Sequence, residues 1–247
     1  MPRRDGRSND QLRPVKIVRR YLKHAHGSCL FELGDTRVLC AASVSEGVAQ
    51  WRRNSGLGWI TAEYSLLPAS THTRSRREVA MGAPSGRTHE IQRLIGRSLR
   101  SVVDLKGLGG EYTLYVDCDV IQADGGTRTA AITGAFIAAY DALTTWRAAG
   151  KIRDLPITEY VAATSVGMVD GQIMLDLAYD EDSVAEIDMN VVVDGRGRFI
   201  EVQGTGERTP FERERLDTML DLALGGSARL VEIQRKVLGE DLEVFGG

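Results

Sequence analysis

The sequence predicts an α+β fold, in which strands and helices occur in separate runs. Short runs of β-branched and apolar residues fill the N-terminal third, and two long segments have apolar residues at helical spacing. Asp-Gly dipeptides separate pairs of strand-like runs in the second half, which is typical of hairpins. With 247 residues and 43% hydrophobic content, the chain can form a substantial core, and we interpret residues 1–247 as a single domain.

The first half is predicted to contain four strands, two polar loops and a helix. Strands are expected at residues 15–22, 28–33, 36–44 and 59–67, with a tight turn at Gly34-Asp35. Residues 46–58 and 68–87 are polar and are expected to be loops. A helix should begin near Thr88, because apolar residues recur at helical spacing from Ile91 to Val103.

The second half is predicted to continue with a strand, a glycine turn and a helix. The strand covers residues 112–123, and the alanine-rich helix covers residues 129–149. Hairpins follow at residues 160–177, around Asp170-Gly171, and at residues 187–203, around Asp194-Gly195. Two closing helices are expected at residues 211–224 and 227–238, separated by Gly225-Gly226.

Charge is distributed unevenly along the chain. Residues 51–100 contain nine arginines, no lysine and three acids, so this stretch has a balance of +6 and the rest of the chain −9. Residues 155–195 contain neither Lys nor Arg but hold a cluster of acids around residues 180–188. The basic stretch indicates a polyanion partner, and the acidic cluster indicates a cation site.

Membrane insertion and disulfide bonding are both disfavoured by the sequence. No run of 18 apolar residues is present and the N-terminus lacks the apolar stretch of a signal peptide, so a cytoplasmic protein is expected. The three cysteines, Cys29, Cys40 and Cys118, are widely spaced in apolar runs and are expected to be buried free thiols.

A candidate phosphate site lies where a buried strand meets a helix, at Gly125-Gly126-Thr127-Arg128. The unpaired N–H groups of a helix N-terminus favour an anion, glycine allows close approach, and Thr and Arg add donors suited to phosphate. Gly86-Arg87-Thr88 is similar, with an arginine and a threonine that can cap a helix. The alternative interpretation of both motifs is an ordinary capped helix with a salt-bridged arginine.

Two further groups of residues have possible functions. Asp182, Glu186 and Asp188 lie around a strand entry, where carboxylates repel one another unless a cation such as Mg²⁺ lies among them. A solvated acidic turn is the alternative. Arg74, Arg76 and Arg77 are candidates for contact with an RNA backbone, although a solvated loop would have the same composition.

Taken together and in this order, the motifs resemble the ribonuclease PH family of phosphate-dependent 3′ exoribonucleases, over nearly the whole chain. The residues that carry the resemblance are Asp5-Gly6-Arg7, Arg13-Pro14, Gly34-Asp35-Thr36, residues 58–64, 71–74, 86–88, 90–93, 117–120 and 122–129, Glu181-Asp182-Ser183, residues 188–191 and residues 201–205. One departure is Ala69, where the family often has an arginine.

The resemblance implies a phosphate site formed by Arg87, Gly126, Thr127 and Arg128, and a metal-binding pair formed by Asp182 and Asp188. These residues would carry out the catalysis, with Mg²⁺ or another divalent cation as cofactor and inorganic phosphate as co-substrate. It also implies two related βαβα halves of the ribosomal protein S5 domain 2-like type, and a homohexameric ring built as a trimer of dimers. The RNA-contacting arginines would be those of residues 74–77.

The implied reaction is reversible phosphorolysis, which trims the 3′ ends of transfer RNA precursors, with a role in transfer and ribosomal RNA processing, and releases nucleoside diphosphates. Phosphate supplies its own nucleophilic oxygen, so no separate nucleophile or strong base is needed. Two alternatives remain: a hydrolytic exonuclease that uses the same groove, and a ring subunit that binds RNA without chemistry.

Overall fold

The computed structural model describes residues 3–208 and 210–239. The predicted unit of residues 1–247 therefore includes residues 1, 2, 209 and 240–247, which lie outside the described residues. The α+β class is confirmed: two β-sheets pack with three long helices and one short helix in the described part of the chain.

The first sheet has five strands and is formed by the N-terminal half. Its strands are β1 (Val15–Arg19), β2 (Gly27–Leu33), β3 (Thr36–Glu46), β4 (Trp59–Leu66) and β5 (Tyr112–Gln122). They are arranged in the order β1-β2-β3-β5-β4, in which β4 and β5 are parallel and all other pairs antiparallel. Gly34 forms the tight turn between β2 and β3 with a positive φ of 56°, as predicted.

Helix α1 (Gly86–Arg100) packs against β4 and begins two residues before the predicted position. Ser85 is its N-cap, and the Ser85 hydroxyl accepts a hydrogen bond from the backbone N–H of Thr88. The hydroxyl of Thr88 instead donates to the Glu78 carboxylate at 2.8 Å. The prediction that Thr88 caps the helix was therefore wrong, and Arg87 lies within the first turn rather than before it.

Helix α2 (Thr127–Ala148) lies between the two sheets and is buried along most of its length. It packs against β2, β3 and β5 on one side and against two strands of the second sheet, β6 (Val161–Val169) and β8 (Ile187–Asp194), on the other. A helix with apolar residues around its whole circumference is typical of such a buried position. The helix begins at Thr127 rather than residue 129, because Gly126 has a left-handed conformation and forms the N-cap.

The second sheet has four antiparallel strands in the order β7-β6-β8-β9. Its strands are β6 (Val161–Val169), β7 (Gln172–Leu175), β8 (Ile187–Asp194) and β9 (Phe199–Gly206). The strand predicted through residue 177 ends at Leu175, because Asp176 has a positive φ of 53° that turns the chain. A short helix, α3 (Tyr179–Asp182), follows and was not predicted.

A single helix, α4 (Arg213–Leu238), closes the fold, so the prediction of two helices was wrong. Gly225-Gly226 lies inside this helix. Gly226 is buried, and a Cβ atom there would lie 2.7 Å from Leu175 Cδ1. The close approach of α4 to the second sheet therefore requires a glycine, and this packing outweighs the weak helix propensity of the glycine pair.

The glycine pair in α4 gives two opposite predictions. Gly225→Ala should raise the free energy of unfolding by about 0.5–1 kcal/mol, because Gly225 is exposed and nothing lies within 4 Å of an added Cβ. Gly226→Ala should lower it by about 1–3 kcal/mol, because the buried Leu175 side chain must move. Urea unfolding of both variants measures these changes. An equal change in the free energy of unfolding for the two variants would show that the packing of Gly226 does not require a glycine.

The three cysteines confirm the expectation of buried free thiols. They lie on neighbouring strands, with Cys40 opposite both Cys29 and Cys118. Within the described part of the chain, no helix is both long and apolar enough to cross a membrane.

Candidate functional site

A cavity of about 650 Å³ opens at the N-terminal end of α2, where the two sheets meet. Seven residues singled out in the sequence line it together: Arg87, Gly125, Gly126, Thr127, Arg128, Asp182 and Asp188. The first five lie at the N-terminal ends of α1 and α2, and the two aspartates lie in α3 and in the second sheet. The fold thus brings the candidate anion turn and the acidic pair into one cavity.

Glycine is required at the turn before α2 for two separate reasons. Gly125 and Gly126 both have positive φ angles, 77° and 63°, which residues with a side chain rarely adopt. A Cβ atom on Gly125 would also lie 2.4 Å from the Leu177 carbonyl oxygen. The turn therefore packs directly against the backbone that leads into α3.

The buried side chain of Arg13 holds the glycine turn in place. The Arg13 guanidinium donates to both carboxylate oxygens of Asp176, at 2.7 and 3.0 Å, and to the carbonyl groups of Asp124 and Gly125. The hydroxyl of Thr36 donates to the Gly125 carbonyl at 2.7 Å. These contacts hold the turn and the segment before α3 in a fixed relation.

The donors of the cavity surround the first turn of α2, whose N–H groups have no partner within the helix. The Thr127 and Tyr64 hydroxyls lie 2.8 Å apart, and burial raises the pKa of Tyr64. Arg128 donates to the side-chain oxygen of Gln203 at 3.2 Å and lies 3.5 Å from Glu90. Arg87 is exposed, and its guanidinium has no hydrogen-bond partner or ion pair among the described residues. Two arginines and a helix N-terminus make this side of the cavity strongly positive.

The acidic side of the cavity is formed by Asp182, at the end of α3, and Asp188, on β8. Burial raises the pKa of Asp188 to about 6, and the neighbouring Asp182 adds to this shift while Arg128 and Arg87 oppose it. Burial also raises the pKa of Asp182, although Arg87, Arg128 and Arg13 lower it. Two partly buried carboxylates therefore repel one another, and a cation between them would relieve that repulsion.

Residues 3–208 and 210–239 contain no group of three or more His, Cys, Asp or Glu side chains that could hold a metal ion. Asp182 and Asp188 form a pair of oxygen ligands only. This donor set fits Mg²⁺, which commonly takes one or two carboxylates and completes its coordination with water and phosphate oxygens.

Several lining residues were not assigned a role from the sequence. They include Tyr64, Ser165, Asn190, Glu207 and Arg208. Glu207 and Arg208 follow β9 without any recognisable motif, and Ser165 lies in a strand that is buried on both faces. The pairing of β6, β8 and β9 brings these three residues to the cavity, so no local sequence signal gives them a role, whereas Tyr64 and Asn190 lie within motifs that carry the family resemblance.

The remaining candidates lie outside the cavity. Arg74, Arg76 and Arg77 are exposed in the loop after Thr71, and Thr71 itself lines the cavity. Glu186 accepts a hydrogen bond from the backbone N–H of Gly171 at 3.2 Å and does not line the cavity. The acidic cluster therefore contributes two of its carboxylates to the cavity, not all three.

The fold and the cavity define an α+β protein with two related units. The cleft that these units share has arginines on one side and carboxylates on the other. The chain belongs to the 3′ exoribonuclease family, because residues 11–144 match domain 1 of that family and residues 159–226 match domain 2. The family assignment made from the sequence motifs is confirmed.

Solved structures with the same fold include chains of archaeal exosomes. A chain of the Archaeoglobus fulgidus exosome with RNA bound to the active site is 24% identical with a TM-score of 0.81, covering 94% of this chain and 92% of that one. Rice (Oryza sativa) Rrp46 is 24% identical with a TM-score of 0.77, covering 96% and 100%. A chain of an archaeal exosome core is 21% identical with a TM-score of 0.75, covering 93% and 90%.

Proposed function

We propose that this protein is a phosphate-dependent 3′-to-5′ exoribonuclease that trims the 3′ ends of transfer RNA precursors in the cytoplasm. The observation that carries the proposal is the presence of Arg87, the Gly126–Arg128 turn and the Asp182–Asp188 pair in one cavity. A cavity with donors on one side and carboxylates on the other accommodates a phosphate ion next to a phosphodiester.

In the proposed reaction, an oxygen of inorganic phosphate attacks the phosphorus of the last phosphodiester. A new P–O bond forms and the bond from phosphorus to the 3′ oxygen of the preceding nucleotide breaks. The proton of hydrogen phosphate goes to that oxygen, so the shortened RNA leaves with a 3′ hydroxyl and a nucleoside diphosphate is released. Arg128 and Arg87 orient the attacking phosphate and offset its charge, and the Thr127 hydroxyl and the N–H groups of α2 donate to its oxygens. Positioning and charge stabilisation supply most of the catalysis, so no protein nucleophile is required.

Asp182 and Asp188 would hold Mg²⁺, which when bound supplies charge stabilisation to the scissile phosphate and the leaving oxygen. The exchange of one phosphate bond for a similar one makes the reaction reversible with excess nucleoside diphosphate. The fit of the aspartate pair to this cation supports the assignment.

We propose that the protein acts as a homohexameric ring, a trimer of dimers, on RNA 3′ ends. The support is the likeness to an exosome with RNA bound to its active site and to an archaeal exosome core. Sedimentation with and without phosphate tests the assembly.

The function is tested with purified protein, a 3′-extended transfer RNA and Mg²⁺, with and without inorganic phosphate. The expected result is trimming only with phosphate and release of nucleoside diphosphates. Nucleoside monophosphates, or trimming that ignores phosphate, would identify a hydrolytic exonuclease. RNA binding without trimming would identify a ring subunit that binds RNA only.

Replacing Arg74, Arg76 and Arg77 together with glutamine should weaken RNA binding about 10-fold or more at low salt. Each lost contact with a phosphate of single-stranded RNA reduces the slope of log affinity against log salt by about 0.7. The Michaelis constant for phosphate should stay unchanged, because none of these arginines lines the cavity. A titration of RNA affinity across salt concentrations measures the slope, and an unchanged slope would identify the three arginines as solvated loop residues.

A further inference from the structure

An exposed aromatic pair lies at the edge of the cavity. The rings of His72 and Tyr179 are stacked, with centroids 4.7 Å apart and an interplanar angle of 26°. His72 is exposed, and Tyr179 remains 47% exposed despite the stack. A large accessible tyrosine surface with one partner ring is a suitable platform for a further flat, aromatic group.

Tyr179 is rigidly placed relative to the reacting groups. It is the first residue of α3, whose last residue is Asp182. Its backbone carbonyl accepts a hydrogen bond from the N–H of Ser183 at 3.0 Å. The Arg3 guanidinium anchors the same short helix with two hydrogen bonds to Glu181, at 2.8 and 2.6 Å. A ring on such a fixed segment can position a ligand without a large loss of conformational freedom.

The charges around the pair favour a neutral group. Tyr179 lines the 650 Å³ cavity and, with His72, also lines an adjoining depression of about 630 Å³. The acids of that depression outnumber its arginines; the charged residues are Arg4, Asp5, Arg13, Asp35, Asp124, Asp180 and Glu181. Both arginines are already paired with acids, Arg4 with Asp180 and Arg13 with Asp124 and Asp176. The depression therefore offers a phosphate group little attraction, whereas an uncharged nucleobase needs none.

We propose that Tyr179, supported by His72, stacks against the base of one of the two nucleotides that flank the scissile phosphodiester. The inference rests on the RNA substrate proposed above. In this arrangement the backbone lies on the side of the cavity that contains Arg87 and Arg128, and the base contacts the ring of Tyr179. Stacking on a ring tolerates every base, so this contact suits an enzyme that removes nucleotides regardless of sequence.

The test uses binding in EDTA without phosphate, so that no turnover is needed. RNA oligonucleotides carry 2-aminopurine, whose fluorescence is quenched by stacking, at the last, the penultimate or a distant internal position. The wild-type protein should quench the probe at one of the two 3′ positions more than Tyr179→Ala does, and Tyr179→Phe should behave like wild type. His72→Ala should give a smaller loss of quenching.

A second measurement replaces the same nucleotides with abasic residues. At the stacked position, the abasic RNA should bind wild type about 5- to 150-fold more weakly, and this loss should be absent in Tyr179→Ala. Tyr115→Ala, which alters another exposed tyrosine on β5, should behave like wild type. The proposal would be overturned if, at both 3′ positions, abasic substitution weakened RNA binding equally in wild type and in Tyr179→Ala.

The two proposals fail in different ways. Quenching that depends on Tyr179 but no phosphorolysis would reject the proposed reaction and keep the stacking platform. A second outcome is phosphorolysis in which neither the quenching nor the loss of affinity for abasic RNA depends on Tyr179. This outcome would reject the platform and keep the reaction. If Tyr179→Ala fails to fold, Tyr179→Leu, which keeps an apolar side chain but has no ring, takes its place in both measurements.

Discussion

Arg128→Ala should lower the rate of phosphorolysis by at least about 100-fold and leave RNA affinity within about twofold of wild type. Arg128 lines the cavity beside the N-terminus of α2, and loss of one preorganised donor to a developing charge typically costs a factor of 100–1000 in rate. Initial rates at varied phosphate concentration, together with RNA binding in EDTA, separate the two effects.

Two control variants accompany Arg128→Ala. Arg153→Ala removes an arginine with a 95% exposed side chain and should change neither rate nor affinity. Arg128→Lys keeps the charge but loses the two-pronged donor geometry, so it should recover only part of the activity. An equal loss of RNA binding and catalysis in Arg128→Ala would assign this residue to the RNA instead of the phosphate.

Asp188→Asn should abolish Mg²⁺-dependent activity and at the same time stabilise the metal-free protein at pH 8. The folded protein raises the pKa of Asp188 from 3.8 to about 6, so the folded state holds this proton more tightly than the unfolded chain. The free energy of unfolding therefore falls progressively as the pH rises from about 4 to 6. Above that range the ionised carboxylate of Asp188 destabilises the folded protein by the full amount. A pKa shift of this size corresponds to a destabilisation of at most about 3 kcal/mol. Asparagine carries no charge and would remove this destabilisation.

Urea unfolding of wild type and Asp188→Asn in EDTA, at pH 8 and at pH 5, measures the gain. The stabilisation should be about half as large at pH 5, because the wild-type carboxyl group is then mostly protonated. Asp221→Asn, an exposed change on α4, should alter stability by less than about 0.5 kcal/mol at either pH. A stabilisation that does not depend on pH, or an unchanged Mg²⁺ dependence of activity, would contradict the roles assigned to Asp188.

The sequence predicted most of the fold because hydrophobic periodicity and glycine turns are local signals. The strands of both sheets were predicted close to their observed ends, and so was α2. Helix α3 was missed because it has only four residues, too few to show periodicity. The glycine pair in α4 was taken for a break, because the close packing of Gly226 on Leu175 is a tertiary contact that propensity does not record.

The candidate site was predictable only in its separate parts. The turn before α2 has a local chemical signature, and so does the acidic segment that contains Asp182 and Asp188. Their convergence depends on how the second sheet packs against α2, which no local pattern encodes. The same limit applies to Tyr64 and Glu207, which reach the cavity through the arrangement of β4 and β9. The family resemblance linked the parts because it supplied information about the whole chain.

The burial of α2 between the sheets has a consequence for synthesis of the chain. Until the second sheet has formed, one face of α2 is exposed to water, with apolar side chains that would favour association with other partly made chains. The cavity is also incomplete until Glu207 and Arg208 have been added near the C-terminal end. A growing polypeptide therefore cannot present the complete cleft to the ribosomal or messenger RNA around it until β9 and the two residues after it have been made.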